Sequence, residues 1–145
     1  MKKMAASAAM DTRAQQAQVP VPPTDLRSAS HIVLQEVLVS DLQVAAHIGV
    51  HAHELGRRQS LTVNVRLAIE SPSDDLLSQT IDYNMVVEAA QALADQRIAL
   101  IETFGQRLAA ACLQHPAVFR AEVLVEKPGA LHLALAAART VMERA

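Results

Sequence analysis

Aromatic residues are scarce in this sequence: Tyr83, Phe104 and Phe119 are the whole set, and tryptophan is absent. A protein that binds single-stranded nucleic acid uses aromatic side chains on which bases stack, and so few rings cannot build that surface. An excess of positive charge is also absent, because 13 Lys and Arg residues face 15 Asp and Glu residues. The sequence therefore excludes a dedicated nucleic-acid-binding protein, which would carry a basic stripe.

Cysteine and glycine are also rare, and each shortage argues against a class of protein. The single cysteine, Cys112, has no partner for an internal disulfide, which is typical of a reducing compartment and predicts a cytoplasmic location. The chain has 4 glycines and neither a glycine-rich phosphate loop nor a G-x-S-x-G elbow, so nucleotide and serine hydrolysis find no local support. No apolar run approaches the roughly 18 residues that a membrane-spanning helix requires.

The remaining composition indicates one globular domain preceded by an extension. The chain has 145 residues, of which 51% are hydrophobic, and this is enough for a single domain with its own core. Residues 1–29 are rich in alanine, glutamine, proline and serine, which predicts a disordered N-terminal extension. Their short apolar stretch stops at Asp11 and makes a poor secretory signal. We therefore predict that the domain spans residues 30–145.

Two patterns after the extension predict a β-hairpin. Residues 31–50 are dense in β-branched side chains, which predicts a long strand with a bulge near Ser40–Asp41. Residues 61–70 alternate between apolar and polar side chains, as expected for a half-buried antiparallel strand. The apolar positions of this second strand are Leu61, Val63, Val65, Leu67 and Ile69.

Two helices and a third strand are predicted next. Asp82 is the predicted N-cap of a first helix, and a second helix begins near Ile101 with Cys112 on its apolar face. Residues 120–126 alternate again and predict a strand that Pro128 ends, since proline cannot donate to the ladder. The last segment, LHLALAAARTVMERA, has the composition of a helix. A strand there would instead pair with the third strand and complete the sheet.

Four ionisable residues stand at positions where chemistry could occur. Glu54 lies in the hairpin loop, and Tyr83 lies at the start of the first helix. Glu102 opens the second helix, and Lys127 ends the third strand. Each also has a structural explanation: Glu102 complements a helix dipole, Tyr83 packs as an amphipathic ring, and the other two are surface charges. Taken singly, none of them assigns a function.

Three histidines, His47, His51 and His53, follow the spacing H-x3-H-x-H. On an extended segment the last two would face the same side, and two imidazoles can begin a zinc site. The third ligand would have to be His47 or Glu54 with no fixed geometry, and no cysteine pair assists. We therefore predict no metal at this cluster and interpret these residues as loop histidines.

Four segments considered together resemble one enzyme family. IGVHAHELGRRQSLTVNV, TIDYNMVV, LIETFGQRLA and VEKPGA, in this order and at these intervals, resemble the dihydroneopterin aldolases of folate biosynthesis. The resemblance runs from about His31 to Arg144. It implies the α+β tunnelling fold, in which a four-stranded antiparallel sheet carries two helices on one face in the order β-β-α-α-β-β. It also implies a barrel-like ring of four protomers, an octamer of two stacked rings, and a fourth strand at about Thr140–Glu143.

The resemblance further implies a reaction and its residues. The reaction is retro-aldol cleavage of 7,8-dihydroneopterin, and the C=N bond of the dihydropterin serves as the electron sink, so no metal, Schiff base or cofactor is expected. By position, Lys127 and Glu54 match the catalytic pair, and Tyr83 matches a tyrosine supplied by the neighbouring protomer. Glu102 matches the carboxylate that anchors the pterin, with Ile101 beside it. The expected partners are a pterin and further copies of the chain, with neither nucleic acid nor membrane.

Other functions remain open on the same residues. An epimerase acting on dihydroneopterin or its triphosphate would use the same chemistry, and the triphosphate would need a basic rim for which Arg57 and Arg58 are the candidates. A non-catalytic paralogue that only binds pterin would need Glu102 alone. A zinc-dependent pterin synthase would use the histidine cluster. One departure from a regular pattern is Gly105, which falls inside the second helix and costs up to about 1 kcal/mol relative to alanine.

Overall fold

The computed structural model describes residues 30–145, so the predicted disordered extension over residues 1–29 lies outside the described residues. Residues Leu34–Ala145 form one compact unit. Its elements are β1 (Glu36–Ala46), β2 (Gln59–Ile69), α1 (Asn84–Ala94), α2 (Ile101–Leu113), β3 (Val118–Lys127) and β4 (Ala136–Glu143). The four strands form one antiparallel sheet in the order β1-β2-β3-β4. The predicted α+β class and the β-β-α-α-β-β order are confirmed.

The first two strands form the predicted hairpin, and β1 carries the predicted bulge. Val39 pairs with Val65 and Leu42 pairs with Val63, so two residues of β1 face only Asn64 between these pairs. Asp41 in the bulge has a φ of 56°, and its backbone N–H donates to Oδ1 of Asn64 over 2.9 Å. The side chain of Asn64 therefore replaces the ladder bond that the extra residue removes.

One core lies between the helices and one face of the sheet. The alternating apolar residues predicted for β2 are all at most 3% exposed, and they pack in one cluster with residues of both helices. The alternation predicted for β3 places Ala121, Val123 and Val125 in the same cluster. Cys112 also lies there, and burial raises the pKa of its thiol to about 11. Its predicted role as a small core residue is confirmed.

The start of α1 differs by one residue from the prediction. Tyr83, and not Asp82, occupies the N-cap position of this helix. The carboxylate of Asp82 still accepts the backbone N–H of Asn84 over 3.0 Å, so it satisfies one free donor at the helix start from outside the helix. The predicted N-cap of α1 was therefore wrong by one residue. The side chain of Asp82 nevertheless accepts a backbone N–H at the helix start, as an N-cap side chain does.

The glycine inside α2 lies against two strands of the sheet. A Cβ atom at Gly105 would stand 3.3 Å from Oγ1 of Thr140 on β4 and 3.5 Å from Cγ2 of Val125 on β3. Gly105 is buried, and the missing side chain lets α2 rest on these two strands. The close approach offsets the lower helix propensity of glycine at this position.

The C-terminal segment is a strand, and it is longer than predicted. β4 pairs with β3 from Ala136, opposite Lys127, to Glu143, opposite Arg120. The predicted start at about Thr140 was therefore wrong by four residues. The alanines that suggested a helix lie in the ladder, because pairing with the exposed edge of β3 outweighs their intrinsic helix propensity.

Two further predictions concern membranes and other copies of the chain. Within residues 30–145, no helix is both long enough and apolar enough to cross a membrane. The strands β1 and β4 are the two edges of the sheet in one chain. The ring of protomers that would cover these edges stays a prediction.

Candidate active site

The end of β1 is attached to the connection between α1 and α2. Ile48 forms a parallel bridge with Ile98. The N–H of His47 donates to the carbonyl of Ala94 over 3.1 Å, and the carbonyl of His47 accepts the N–H of Ile98 over 3.2 Å. The N–H of Gly49 then donates to the carbonyl of Ala99 over 3.0 Å. These bonds bring the hairpin loop, which carries Glu54, next to the first turn of α2, which carries Glu102.

Gly49 makes the space in which Glu54 lies. Its φ is 122°, a conformation that side-chain-bearing residues rarely adopt, and a Cβ atom there would stand 2.4 Å from Cδ of Glu54. The guanidinium of Arg97 donates to the carbonyl of Gly49 and holds this peptide from the other side. The carboxylate of Glu54 therefore rests directly on the backbone.

Glu54 is buried, and its carboxylate is bound on both oxygens. It ends a short 3-10 turn, Ala52–Glu54, and is only 4% exposed. Oε1 accepts the backbone N–H of His51 over 3.2 Å, and Oε2 accepts both the side-chain amide of Gln59, over 2.9 Å, and the ammonium of Lys127. The bond from Lys127, then that from Gln59, lowers the pKa of Glu54 to about 2, against the opposing effect of burial.

The alternation of β3 explains how Lys127 reaches this carboxylate. Lys127 lies two residues after Val125 and four after Val123, so its side chain points to the face that the helices cover. There the core ends, and the ammonium meets Glu54 with 14% of the lysine side chain exposed. Pro128 follows immediately and ends the strand, as predicted.

Gln59 is a site residue that the sequence interpretation missed. Its amide nitrogen donates both to Glu54 and, over 2.6 Å, to the carbonyl of Ile48. A signal was available, because Gln59 lies two residues before Leu61 and so continues the buried series of β2 towards the loop. A polar residue at an apolar position of such a series needs a hydrogen-bond partner, which here is the site itself.

Glu102 differs from Glu54 in its surroundings. It lies in the first turn of α2, where the helix dipole favours a carboxylate. It is exposed, and residues 30–145 give it no ion-pair partner. Its carboxylate is therefore available to a ligand. Ile101 beside it is half-buried and packs against the core.

These side chains line one cleft of about 370 Å³. It contains the predicted residues Glu54, Lys127, Glu102 and Ile101, together with Gln59. The volume lies within the range of small-molecule sites. A buried ammonium–carboxylate pair can hold and move protons there, and the open carboxylate can accept N–H groups of a ligand.

Tyr83 is the one predicted site residue that does not line this cleft in its own chain. It stands at the start of α1 with 61% of its surface exposed. The geometry of one chain therefore brings together Glu54, Lys127, Glu102 and Ile101 but leaves Tyr83 apart. Its assignment to a neighbouring protomer's site stays a prediction.

The histidines line the cleft in part and do not form a ligand cluster. The rings of His51 and His53 stack with their centroids 5.5 Å apart and an angle of 4° between their planes. They do so across the start of a 3-10 turn and not on the extended segment considered above. In the part of the chain from residue 30 onward, no three His, Cys, Asp or Glu side chains converge as metal ligands would.

Fold and site together define a small α+β domain with a cleft that holds a lysine–glutamate ion pair and, beside it, a carboxylate without an ion-pair partner in residues 30–145. Comparison with known proteins identifies the family within this class. Residues 37–143 match the family model described as FolB, dihydroneopterin aldolase. The chain belongs to this family of aldolase-type enzymes.

Two curated relatives show what the family includes. The chain is 32% identical to a dihydroneopterin aldolase of Streptomyces coelicolor over 101 residues, which is 67% of this chain and 85% of the relative. It is 27% identical to a dihydroneopterin triphosphate 2'-epimerase of Pseudomonas aeruginosa over 105 residues, 70% of this chain and 85% of the relative. Both activities are therefore represented among its relatives.

Solved structures share the fold. A putative dihydroneopterin aldolase of Vibrio cholerae superposes with a TM-score of 0.71 at 23% identity, covering 78% of this chain and 100% of the other. The dihydroneopterin aldolase of E. coli, solved in complex with neopterin, gives a TM-score of 0.67 at 23% identity, covering 77% of this chain and 99% of the other. The four-stranded antiparallel sheet with two helices is the architecture they have in common.

Proposed function

We propose that this protein cleaves 7,8-dihydroneopterin by a retro-aldol reaction to 6-hydroxymethyl-7,8-dihydropterin and glycolaldehyde, a step of tetrahydrofolate biosynthesis. The observation that carries this proposal is the largely buried Lys127–Glu54 ion pair, which lies in the same cleft as the carboxylate of Glu102, itself without an ion-pair partner in residues 30–145. The chain's membership of the FolB family supports the choice of a dihydroneopterin as substrate.

The substrate itself supplies the electron sink for this reaction. Loss of the proton from the C2' hydroxyl lets the C1'–C2' bond break, and its electrons move into the adjacent C=N bond of the dihydropterin ring. C2' and C3' leave as glycolaldehyde. The resulting enamine takes a proton at C1' and becomes the hydroxymethyl product. The protein therefore has to move protons and hold the ring, without adding an electron sink of its own.

The ion pair fits the proton-handling part of this reaction. With its pKa lowered to about 2, Glu54 stays ionised at neutral pH and binds the side-chain nitrogen of Lys127. The ionised carboxylate of Glu54 can accept the proton of the C2' hydroxyl, directly or through a water held by the pair, and can release it again after the product has formed. An ammonium bound to a carboxylate is a poor amine nucleophile, which favours a route without a Schiff base.

Glu102 fits the anchoring of the pterin ring. The 2-amino group and N3–H of a pterin lie side by side and point the same way, so one carboxylate can accept both in two parallel bonds. An exposed carboxylate without a partner in residues 30–145 can offer such bonds without first breaking others. Ile101 gives the ring an apolar neighbour in the same cleft.

Tyr83 completes the proposed machinery from a second protomer. Its exposure in one chain agrees with a phenol that works in another chain's cleft, where it would protonate the intermediate at C1'. Mixed oligomers of Tyr83→Phe and Lys127→Ala subunits should then regain cleavage activity that neither variant has alone. Confirmed mixed oligomers without such recovery would contradict a shared site.

The 2'-epimerase is the second candidate function. Cleavage followed by re-addition of glycolaldehyde on the other face would invert C2' on the same residues, and an epimerase is among the curated relatives. A purely pterin-binding paralogue is less well supported, because Glu54 and Lys127 would then have no use. Product analysis separates these functions.

The test is to incubate the EDTA-treated protein with 7,8-dihydroneopterin and to separate the products by chromatography. Glycolaldehyde with 6-hydroxymethyl-7,8-dihydropterin supports the aldolase, and a monapterin peak adds epimerase activity. Absence of turnover with intact pterin binding would overturn the proposed reaction, and activity restored by zinc would overturn its metal independence.

A trapping experiment tests the absence of a Schiff base. Lys127 is the only lysine after residue 3, so borohydride reduction during turnover can form a substrate adduct in the domain only at this residue. We expect no adduct in the mass spectrum. An adduct on the peptide that contains Lys127 would show an imine mechanism instead.

A further inference from the structure

The side-chain amide of Gln59 makes two bonds through one nitrogen, and these bonds fix its orientation. Nε2 donates to the carbonyl of Ile48 over 2.6 Å and to Oε2 of Glu54 over 2.9 Å. Both partners can only accept, so only the NH₂ end of the amide can face them, and both of its hydrogens are used. Ile48 is 1% exposed and bridges Ile98. Gln59 therefore ties the Glu54 carboxylate to a buried part of the backbone.

The two oxygens of the Glu54 carboxylate differ in the number of donors they bind. Oε2 accepts both Gln59 and Lys127, whereas Oε1 accepts the backbone N–H of His51 over 3.2 Å. Among residues 30–145, no further donor bonds to either oxygen. A carboxylate oxygen has about two lone-pair sites, so Oε2 is fully occupied and Oε1 has one site left. Oε1 is therefore the oxygen that can take a further proton.

We propose that Gln59 is a positioning residue: together with Lys127 it occupies Oε2 of Glu54 and so reserves Oε1 as the oxygen that takes the proton of the substrate. This inference rests on the proposed function, since the proton is that of the C2' hydroxyl. The O–H bond breaks, its proton bonds to Oε1, and its electron pair forms the carbonyl of glycolaldehyde. The electrons of the C1'–C2' bond enter the ring, and Gln59 itself exchanges no proton.

Gln59→Met tests the donor, because methionine has a similar length and no N–H. Oε2 then has a free lone pair that competes with Oε1 for the proton, and the carboxylate is no longer tied to Ile48. We expect kcat for 7,8-dihydroneopterin to fall by about 10-fold, the loss from a modest misplacement. The Kd of the pterin should change by less than about 2-fold, since its proposed anchor is Glu102. Circular dichroism checks the folding of the variant.

Gln59→Glu gives a result that a merely structural role would not produce. The introduced carboxyl has the shape of the amide but can donate to Oε2 only when it is protonated. Two carboxyls side by side repel when both are ionised, so the pair should bind one shared proton more readily than an isolated carboxyl does. The kcat of this variant relative to the wild type should therefore rise by at least about 5-fold between pH 8 and pH 5.5.

The other titratable groups of the cleft are the same in both proteins, and the comparison with the wild type at each pH accounts for them. They are Lys127 on β3, His51, His53 and Arg57 in the hairpin loop, and Glu102 on α2. Gln91→Glu is the matched control, because Gln91 is exposed on α1 and its side chain makes no hydrogen bond within residues 30–145. Its relative kcat should stay constant with pH.

A measurement without turnover follows the Glu54 carboxylate directly. Carbon-13 NMR of glutamate-labelled protein detects it as the signal that Glu54→Gln lacks. Gln59→Met should raise the pKa of Glu54 above the wild-type value of about 2, because one of the bonds that lower it is lost. An unchanged pKa, a wild-type kcat in Gln59→Met, or a relative kcat of Gln59→Glu that ignores pH would each overturn the positioning role. Failure of the proposed function gives a different result: the wild type does not cleave dihydroneopterin, and the NMR titration still decides whether Gln59 acts on Glu54.

Discussion

The two carboxylates of the cleft, Glu54 and Glu102, are held in opposite ways. Glu54 is 4% exposed and accepts hydrogen bonds from a backbone N–H, an amide and an ammonium. Glu102 is exposed, and the described residues leave its carboxylate without an ion-pair partner. Glu54 therefore has its hydrogen bonds before a ligand binds, whereas Glu102 is open to form such bonds with a ligand.

This difference separates two tasks that a small enzyme has to perform. A buried charge is costly unless every hydrogen bond is made, so the Glu54 side is rigid and suits chemistry that needs fixed geometry. An exposed carboxylate costs little and gains its bonds only on binding, so the Glu102 side suits recognition. Substitutions on the Glu54 side should therefore lower turnover, and substitution of Glu102 should lower the affinity for the pterin.

Replacing Lys127 should have the largest effect. Lys127→Ala removes the ammonium and leaves Glu54 buried without its charge partner, so turnover should fall by about 10²- to 10⁴-fold, the contribution typical of positioned acid–base groups. Pterin binding, measured by titration, should change by less than about 3-fold, since the proposed anchor of the ring is Glu102 and not Lys127. Unchanged turnover would remove Lys127 from the mechanism.

Replacing Glu102 should have the second-largest effect and should act on affinity. Glu102→Ala removes the two proposed charge-assisted bonds to the pterin, so the Kd should rise by about 10- to 100-fold. The melting temperature should fall only slightly, because the carboxylate has no ion-pair partner in residues 30–145 and loses only its favourable interaction with the helix dipole. Glu88→Ala, which removes an exposed carboxylate from α1, is the matched control. A normal Kd for Glu102→Ala would refute its anchoring role.

A smaller effect is expected from moving Glu54 without changing it. Gly49→Ala places a methyl group against the Glu54 carboxylate, so turnover should fall by about 10-fold, the loss expected from a modest misplacement. Gly56→Ala is the matched control, since Gly56 also has a positive φ but no atom within 4 Å of the added methyl. It should cost only the backbone strain, about 1 kcal/mol of unfolding free energy. Equal activity in both variants would contradict the packing explanation.

The last prediction concerns stability and not turnover, and it isolates the contribution of Glu54 to the pH dependence of the unfolding free energy. Its pKa in the folded state, about 2, lies below the ordinary value of 4.5, so folding favours the ionised form. This contribution is complete above pH 4.5 and is lost as the pH falls from there towards 2. Unfolding free energies of the wild type should therefore decline more steeply over this range than those of Glu54→Gln. Parallel curves for the two proteins would contradict a lowered pKa.

The sequence predicted most of the fold because its strands carry a clear period of two. The series from Leu61 to Ile69 and from Ala121 to Val125 fixed both the elements and their buried faces. The last strand was harder, since the run Ala136–Ala138 favours a helix locally. Its pairing partner, β3, lies elsewhere in the chain, and local propensity contains no information about that partner.

The site was predictable as a set of residues but not as an arrangement. Continuing the β3 series beyond Val125 leads to Lys127, and continuing the β2 series backwards from Leu61 leads to Gln59, so both could be inferred to reach one end of the core. The contact between Gly49 and Glu54 could not, because it depends on a φ of 122° and on the attachment of β1 to the α1–α2 connection. Such long-range bonds leave no local pattern.

The close approach of α2 to β4 at Gly105 also limits when the cleft can form during protein synthesis. The helix that carries Glu102 rests on Thr140, and the ammonium that completes Glu54 comes from the end of β3. Both supports are synthesised after the loop and the helix that depend on them. Because domains fold as units, the recognition and acid–base sides of the cleft cannot come together before β3 and β4 have been synthesised.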